Sequence, residues 1–253
     1  MPNLDYKPFT RRRRPHFNPV DRTFFLTFRL AGSIPKSEVR FYKAKMAWLR
    51  DQLKRVERFA DGIYSSELVS WQDQIERLNR SWFLKTEEIL HKADCGPTWM
   101  VNPAIADKVA ENLHRLDGKD YRLDAFSIMS NHVHAVFKPF LSATDLVISP
   151  ITLELDLDPD CAGLSRIMHS LKGRSARDCN ILLGRKGQFW EHESFDRVIR
   201  EGMFDKTVRY VLNNPVKVSL VQDWEDWRWN YCREDLRARF RTKYAQKIQK
   251  ATS

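Results

Sequence analysis

The sequence predicts an α+β protein in which a ferredoxin-like βαββαβ antiparallel sheet carries a helical-hairpin insertion and extra terminal segments. Three observations predict this class. Runs with a two-residue apolar period lie near residues 24, 122 and 133, and helix-like spacings separate them in the order of that fold. A long helical stretch interrupts this order directly after the first strand.

The first strand is predicted over residues 23–30, where Phe24, Leu26 and Phe28 share one face. Residues 36–92 then change to apolar spacings of three and four, in two stretches separated by a glycine-containing turn. This pattern predicts an antiparallel helical hairpin inserted before the first core helix. Packing alone is the simplest role for its two apolar stripes. An accessory DNA contact stays open, because the outer faces carry several lysines and arginines.

The first core helix is predicted to start at Asn102-Pro103, where a capping side chain precedes a proline, and to stop at Asp117-Gly118. Residues 121–129 and 132–137 are predicted as two strands of an antiparallel hairpin, because only Ser130-Asn131 separates them. The remaining core elements are predicted in this order: a helix over 164–181, an extended stretch over 189–199, and a helix over 204–214 that ends before Pro215.

Composition restricts the class of protein further. The chain has 253 residues, of which 42% are hydrophobic, so it can bury a substantial core and is not disordered throughout. Its 43 Lys+Arg against 33 Asp+Glu give a net charge of +10, which favours a polyanionic partner. Of the two such partners, nucleic acid is favoured over a membrane surface. No apolar run reaches the ~18 residues of a membrane span. The four cysteines are scattered, which is typical of reduced thiols in a cytoplasmic protein.

The chain is predicted to have three parts. Residues 1–20 are a basic N-terminal arm with four consecutive arginines, and they lack the apolar stretch of a secretory signal. Residues 21–225 form the main folded domain, which includes the 36–92 hairpin. Residues 226–253 form a basic C-terminal tail.

The strongest local feature is His132-Val133-His134. Residues two apart on a strand point to the same face, so both imidazoles converge on one point while Val133 faces the other way. Two neutral imidazoles at that spacing can hold a divalent cation. The pattern also arises by chance, and histidine pairs often only fill space.

A tyrosine and an asparagine later in the chain strengthen the case that the histidine pair binds a metal. In the stretch from residue 209 to residue 217, RYVLNNPVK, Tyr210 and Asn214 are four apart and share one face of a helix. A phenol with a pKa of ~10 is a poor nucleophile unless its target is activated, so Tyr210 suits attack on a metal-polarised phosphodiester. Asn214 can offer an amide oxygen as third ligand. The alternatives are an ordinary packed tyrosine and a helix-end cap before Pro215.

Three blocks of this chain together resemble one family. Residues 121–137 (YRLDAFSIMSNHVHAVF), 189–200 (FWEHESFDRVIR) and 210–221 (YVLNNPVKVSLV) look like the single-tyrosine HUH transposases of the IS200 type. Within that group they most resemble the REP-associated tyrosine transposases, which carry the same three blocks in the same order. Ser130 stands where the family usually has proline, and the 36–92 hairpin is larger than in the compact members.

The resemblance implies a ferredoxin-like fold and metal-dependent cleavage and rejoining of single-stranded DNA near hairpins. It implies that His132 and His134 bind the metal, Mg²⁺ or Mn²⁺, with Asn214 in the position of the third ligand. It makes Tyr210 the nucleophile, leaving a 5′-phosphotyrosine and a free 3′-OH. Members of this kind often act as homodimers.

Charge and aromatic residues supply candidate DNA contacts. We expect these basic residues to meet backbone phosphates: Arg11, Arg12, Arg13, Arg14, Arg174, Arg185, Lys186 and Lys217. Trp224, Trp227 and Trp229 are either a platform for unpaired bases or a plug in the core, and the core role is favoured.

Two other functions remain open. The first is a domesticated DNA-binding protein on the same scaffold that no longer cleaves, against which stands the presence of Tyr210, His132 and His134. The second is a metal-dependent hydrolase in which water attacks, and it predicts no covalent protein–DNA species.

Overall fold

The computed structural model describes residues 22–59, 66–140, 146–148, 155–157 and 163–241. The strands are β1 (Phe24–Arg29), β2 (Tyr121–Ile128), β3 (His132–Pro139), β4 (Leu146–Ile148), β5 (Leu155–Leu157), β6 (Phe195–Val198) and β7 (Asn230–Cys232). The helices are α1 (Lys36–Phe59), α2 (Ser66–Lys92), α3 (Pro103–Leu116), α4 (Gly163–Leu182), α5 (Phe204–Leu212), α6 (Asn214–Lys217) and α7 (Glu234–Phe240).

One five-stranded antiparallel sheet organises the core. Its strand order is β6-β1-β3-β2-β7, with β1 paired to β3 and to β6, and β2 paired to β3 and to β7. The short strands β4 and β5 form a separate pair. The prediction of an α+β protein built on an antiparallel sheet is confirmed at this level.

The two faces of the sheet are covered by different helices. On one face Phe28, Val133 and Ala135 pack against residues of α3 and α4 in the larger hydrophobic cluster. On the other face Phe25 and Val136 pack against α5 and α7. Because successive side chains of a strand alternate between faces, His132 and His134 lie on the α5 side with Val136.

The start of α3 shows how sequence fixes an element. The Asn102 side chain accepts a hydrogen bond from the Ala104 N–H at 3.0 Å, and Pro103 occupies the first helical turn. Asn102 thereby satisfies one of the free N–H groups at a helix start, as the sequence predicted.

The helical hairpin is present as α1 and α2, although the turn around residue 61 lies outside the described residues. Tyr42 stacks on Trp82 with ring centroids 4.5 Å apart, which fastens the two helices to each other. Near the far end of α2, Phe83 packs against Phe25 at 6.3 Å and Phe195 at 4.3 Å. Aromatic contacts of this kind hold the end of α2 over the α5 face of the sheet.

The segment after Trp224 differs from a simple tail. Residues 230–232 add β7 to the edge of the sheet beside β2, and α7 buries Leu236 and Phe240 in the second cluster. A strand of three residues is too short to show a two-residue period, so the sequence carried no signal for it.

Within the described part of the chain, no helix combines the length and the apolar character that crossing a membrane requires.

Candidate metal centre and active site

The two histidines of β3 lie side by side in a fully buried position. His132 and His134 are both 0% exposed, and their ring centroids are 4.7 Å apart. Across the sheet they stand opposite Arg29 and Thr27 of β1. Phe25, from the same face of β1, stacks on His134 at 5.6 Å.

Each of these imidazoles is held through Nδ1. His132 Nδ1 is 2.7 Å from Asn131 Oδ1, an atom that can only accept, so Nδ1 carries the hydrogen and donates. His134 Nδ1 is 2.7 Å from Thr27 Oγ1. Both Nε2 atoms are buried and have no hydrogen-bond partner. An imidazole held through Nδ1 can present its Nε2 lone pair to a metal, and hydrogen bonds at the other ring nitrogen are what orient metal-binding histidines.

A third imidazole comes from α2. His91, His132 and His134 bring one potential ligand atom each to within 4.8 Å of one another. His91 Nε2 is 2.7 Å from Asn214 Oδ1, which makes His91 the donor. Burial lowers the pKa of His91 and, to a greater extent, that of His132, so both rings are neutral and suited to ligation. The three histidines therefore form a cluster able to bind a divalent metal.

A buried carboxylate adjoins this cluster. Glu87 Oε2 lies 3.3 Å from His134 Nε2 and 3.8 Å from His91 Nε2, and the side chain is 4% exposed. Burial alone favours the neutral acid, but the interaction with His134 and the hydrogen bonds outweigh it and lower the pKa of Glu87 to about 2. Glu87 is thus an anion in the interior.

Tyr210 of α5 meets this carboxylate. Its hydroxyl donates a hydrogen bond to Glu87 Oε2, and its ring packs edge-on against His134 at 5.7 Å and Phe25 at 5.8 Å. Burial and the Glu87 charge raise the pKa of Tyr210 well above 10, so the phenol is protonated at neutral pH. Any attack by Tyr210 must therefore deliver its proton to a nearby acceptor.

Asn214 lies on the same side of the centre as Tyr210. Helix α5 ends at Leu212, and Asn214 opens the short helix α6, so the two residues belong to consecutive helices and not to one. Asn214 is 1% exposed, and its Nδ2 is 3.5 Å from the Tyr210 carbonyl oxygen. The structure thus brings together four predicted site residues: His132, His134, Tyr210 and Asn214.

The predicted DNA contacts are more scattered. Lys217 is exposed near the site, with Nζ 5.9 Å from the centre of the Tyr210 ring. Arg174, Arg185 and Lys186 belong to α4 and the turn after it, in the layer that covers the opposite face of the sheet. Arg185 lies over the Trp99 ring at 4.1 Å, and Arg174 Nε is 3.9 Å from Asp178. Residues 11–14 lie outside the described residues.

The tryptophan cluster is tied into the fold. The indole N–H of Trp224 donates to the Phe240 carbonyl, that of Trp227 to the Ile128 carbonyl, and that of Trp229 to Asp107. Trp224 is 3% exposed. The structure therefore supports the packing role that the sequence favoured for these residues.

Sequence reasoning missed Glu87 and His91. The sequence favours packing for residues 36–92 and leaves an accessory DNA contact open, and neither Glu87 nor His91 belongs to a block of the family pattern. A signal does exist, because Glu87 lies four residues after buried Phe83 and three before buried Leu90, and so interrupts an apolar stripe. A charged residue at such a position marks either a buried ion pair or a site.

No family model matches the chain, and no curated protein matches it. Among solved structures it matches a REP-associated tyrosine transposase bound to a REP hairpin, at 14% identity and a TM-score of 0.41. The match covers 93% of this chain and 89% of that chain. That TM-score and that identity are too low to assign this chain a fold family or an activity.

Proposed function

We propose that this protein is a metal-dependent endonuclease and strand transferase for single-stranded DNA that acts near REP-like hairpins. One observation carries the proposal: the Tyr210 hydroxyl shares the Glu87 carboxylate with His134, beside a cluster of three imidazoles, of which two are fully buried. A buried phenol needs one hydrogen-bond partner, but packing does not require a cluster of imidazoles beside that partner, whereas a metal bound there would activate a phosphodiester for tyrosine attack.

The metal is held by His132 and His134, with Asn214 and His91 as the nearest further donors. A divalent ion such as Mg²⁺ or Mn²⁺ supplies Lewis acidity that polarises the scissile phosphate. The unpartnered Nε2 atoms of His132 and His134 support this assignment. Positioning and electrostatics dominate phosphoryl transfer, so few groups are needed.

In the proposed reaction Tyr210 Oη forms a bond to phosphorus, and the bond from phosphorus to the 3′ oxygen breaks. The phenolic hydrogen passes through its hydrogen bond to Glu87 and on to water, because a carboxylate of low pKa does not keep it. The 3′ oxygen leaves and takes up one proton from water, so the step releases no net proton and Glu87 is again ionised. The products are a 5′-phosphotyrosine on the protein and a free 3′-OH, and attack by that 3′-OH on the phosphotyrosine rejoins DNA.

Two cations near Tyr210 are suited to hold the substrate backbone. Lys217 lies at the ring, and Arg197 of β6 has its guanidinium carbon 5.8 Å from the centre of the Phe25 ring. Burial lowers the pKa of Arg197, and the interaction with Tyr210 opposes that shift. Both side chains can offset phosphate charge. The homodimer that the resemblance implies stays a prediction.

We also propose a ferredoxin-like core. The succession β1, α3, β2, β3, α4, β6 follows the βαββαβ order, with α1 and α2 inserted before α3 and β7 added at the edge. Sheet order β6-β1-β3-β2 supports this proposal.

A covalent-adduct assay tests the function. Purified protein is mixed with labelled single-stranded DNA containing REP-like hairpins, with Mg²⁺ or Mn²⁺ or with a chelator, and resolved on a denaturing gel. We expect a slow-migrating labelled band that requires the metal and is lost in Tyr210→Phe.

Tyr231→Phe is the matched control, because Tyr231 lies in β7, away from the histidine cluster. Its ring packs against Phe126 of β2 and His114 of α3. It should form the adduct as the unchanged protein does. Cleavage without an adduct would show attack by water. Binding without cleavage across several hairpins would show a DNA-binding protein that no longer cleaves.

A further inference from the structure

Helix α2 places two buried polar side chains at the proposed metal centre. Glu87 and His91 are four residues apart, which puts them on one face of the helix, and their side chains are 4% and 10% exposed. Both face groups from other elements: His134 of β3, Tyr210 of α5 and Asn214 of α6. The hairpin thus contributes directly to the site.

We propose that Glu87 and His91 are metal ligands together with His132 and His134, forming a centre of three imidazoles and one carboxylate that prefers Mn²⁺, Co²⁺ or Zn²⁺ to Mg²⁺. The proposal rests on the metal dependence of the proposed function and names the ion class and ligands of that same site. It adds an inserted helix to the two-histidine motif.

Unpartnered buried atoms support the ligand set. Glu87 Oε1, His132 Nε2 and His134 Nε2 are buried without a hydrogen-bond partner, within the part of the chain that the structure describes. A buried polar atom without a partner costs about 1–3 kcal/mol, and three such atoms in one place are unusual. One divalent cation bound by His132 and His134 would satisfy both nitrogens, and Glu87 adjoins them.

Charge supports the same assignment. The ion-pair contacts that the structure gives Glu87 are with His91 and His134 at 3.8 and 3.3 Å, and no lysine or arginine of the described residues pairs with it. A buried carboxyl group that faces imidazole nitrogens has the donor composition of a divalent-metal site. A divalent cation bound by these groups would take the place that a lysine or arginine would otherwise have.

The donor types determine the preferred ion. Imidazole nitrogen suits Zn²⁺, Co²⁺ and related ions, whereas Mg²⁺ prefers oxygen ligands in octahedral geometry. A centre with three nitrogens and one carboxylate therefore discriminates against Mg²⁺. A site of two histidines and an amide, with water and phosphate oxygens as the other ligands, would discriminate less strongly against Mg²⁺.

Metal binding by His91 would break its hydrogen bond to Asn214. In the structure His91 Nε2 donates to Asn214 Oδ1 at 2.7 Å. Ligation through Nε2 requires the tautomer that carries the hydrogen on Nδ1, and this hydrogen bond is then lost. The freed amide oxygen can join the centre as a further ligand.

Metal binding without DNA tests the proposal. Chelator-stripped protein is titrated with Mg²⁺, Mn²⁺, Co²⁺ and Zn²⁺ by calorimetry, and the melting temperature is recorded with each ion. We expect Mn²⁺ and Zn²⁺ to bind at least about 100-fold more tightly than Mg²⁺, and to raise the melting temperature by mass action. Equal affinity for Mg²⁺ and Mn²⁺ would overturn the proposal.

Variants identify the ligands. His91→Ala and Glu87→Gln should each weaken Mn²⁺ binding by more than about 100-fold, since losses of about 10- to 100-fold are typical of residues that only support a ligand. His114→Ala, which removes an exposed imidazole of α3, should leave it unchanged. Unchanged Mn²⁺ affinity in His91→Ala and Glu87→Gln, with loss in His132→Ala, would show that α2 supplies no ligand.

Spectroscopy can count the imidazoles bound to the metal in the unchanged protein, so the result does not depend on whether variants fold. Pulsed electron paramagnetic resonance on Mn²⁺-loaded protein with ¹⁵N-labelled histidine should report three coordinated imidazoles, and a count of two would refute the role of His91. This inference and the proposed function fail separately. Metal bound through α2 without an adduct refutes the function alone, and an adduct with full Mn²⁺ affinity in His91→Ala refutes this inference alone.

Discussion

A single hydroxyl on β1 sets the orientation of His134. Thr27 is 5% exposed, and its Oγ1 lies 2.7 Å from His134 Nδ1. This contact fixes which ring nitrogen faces Glu87, so Thr27 acts on the centre through His134.

Thr27→Val removes that hydroxyl with little change in shape. We expect Mn²⁺ affinity to fall about 10- to 100-fold and the free energy of unfolding to fall by about 1–3 kcal/mol, because a buried Nδ1 loses its partner. Calorimetric titration and urea denaturation measure the two effects.

Thr86→Val is the matched control. Thr86 of α2 has a buried Oγ1 without a hydrogen-bond partner, so its removal should leave stability unchanged or slightly raised. If Thr27→Val bound Mn²⁺ as tightly as Thr86→Val does, Thr27 would have no part in orienting the ligand.

At the scale of elements, the connection between the hairpin and the core is constrained at Gly96. This residue has φ +75°, and a Cβ there would lie 2.2 Å from the Gly32 carbonyl oxygen and 2.8 Å from Ser33 Cα. The segment leaving α2 therefore passes against the turn after β1 with no room for a side chain. This close approach helps to fix where α2 ends relative to the sheet.

Gly96→Ala and Gly118→Ala separate this steric clash from backbone strain. Gly118 has φ +73° but open space around its Cβ direction, so Gly118→Ala should cost only the left-handed strain of about 1–2 kcal/mol. Gly96→Ala should cost roughly a further 1–3 kcal/mol, because backbone atoms must move. Thermal denaturation compares the two, and equal losses would contradict the close packing of this connection.

The sequence alone predicted most of the core helices and strands, but it did not predict which residues of different elements contact each other. Periods of two and of three to four residues are local properties, so β1, α3, β2, β3 and α4 were predictable within a few residues. The end of α5 at Leu212 was harder to predict, because the hydrogen bonds of Asn213 continue from α5 into α6 without a clear interruption.

The site shows the same division. The spacing of His132 and His134 along one strand places both imidazoles on one face without any knowledge of tertiary structure. Glu87 and His91 reach the same place from a helix that precedes β3 by some forty residues, and no local spacing encodes that contact. Only the packing of α2 over β1, through Phe83 and Phe25, brings them there.

At the scale of the whole molecule, charge governs the encounter with DNA. A net charge of +10 predicts strong electrostatic attraction to single strands, accompanied by release of counterions. For about six phosphate contacts, affinity for single-stranded DNA should fall roughly 300-fold between 50 and 200 mM salt. Fluorescence anisotropy over that salt range measures the slope.

Lys217→Ala should reduce the salt slope by about 0.7, the value of one phosphate contact on a single strand. Lys119→Ala provides a control of equal charge, since Lys119 is exposed in the turn between α3 and β2, away from Tyr210. Identical slopes for the two variants would contradict a phosphate contact by Lys217.

The most direct test of the central claim is to locate the covalent bond on the chain. Protein is incubated with Mn²⁺ and hairpin-containing single-stranded DNA, denatured, digested with nuclease and protease, and examined by tandem mass spectrometry. The account predicts a nucleotide joined through its 5′ phosphate to Tyr210, and no such peptide after chelation. A nucleotide on any other residue, or cleaved DNA with every peptide unmodified, would contradict it.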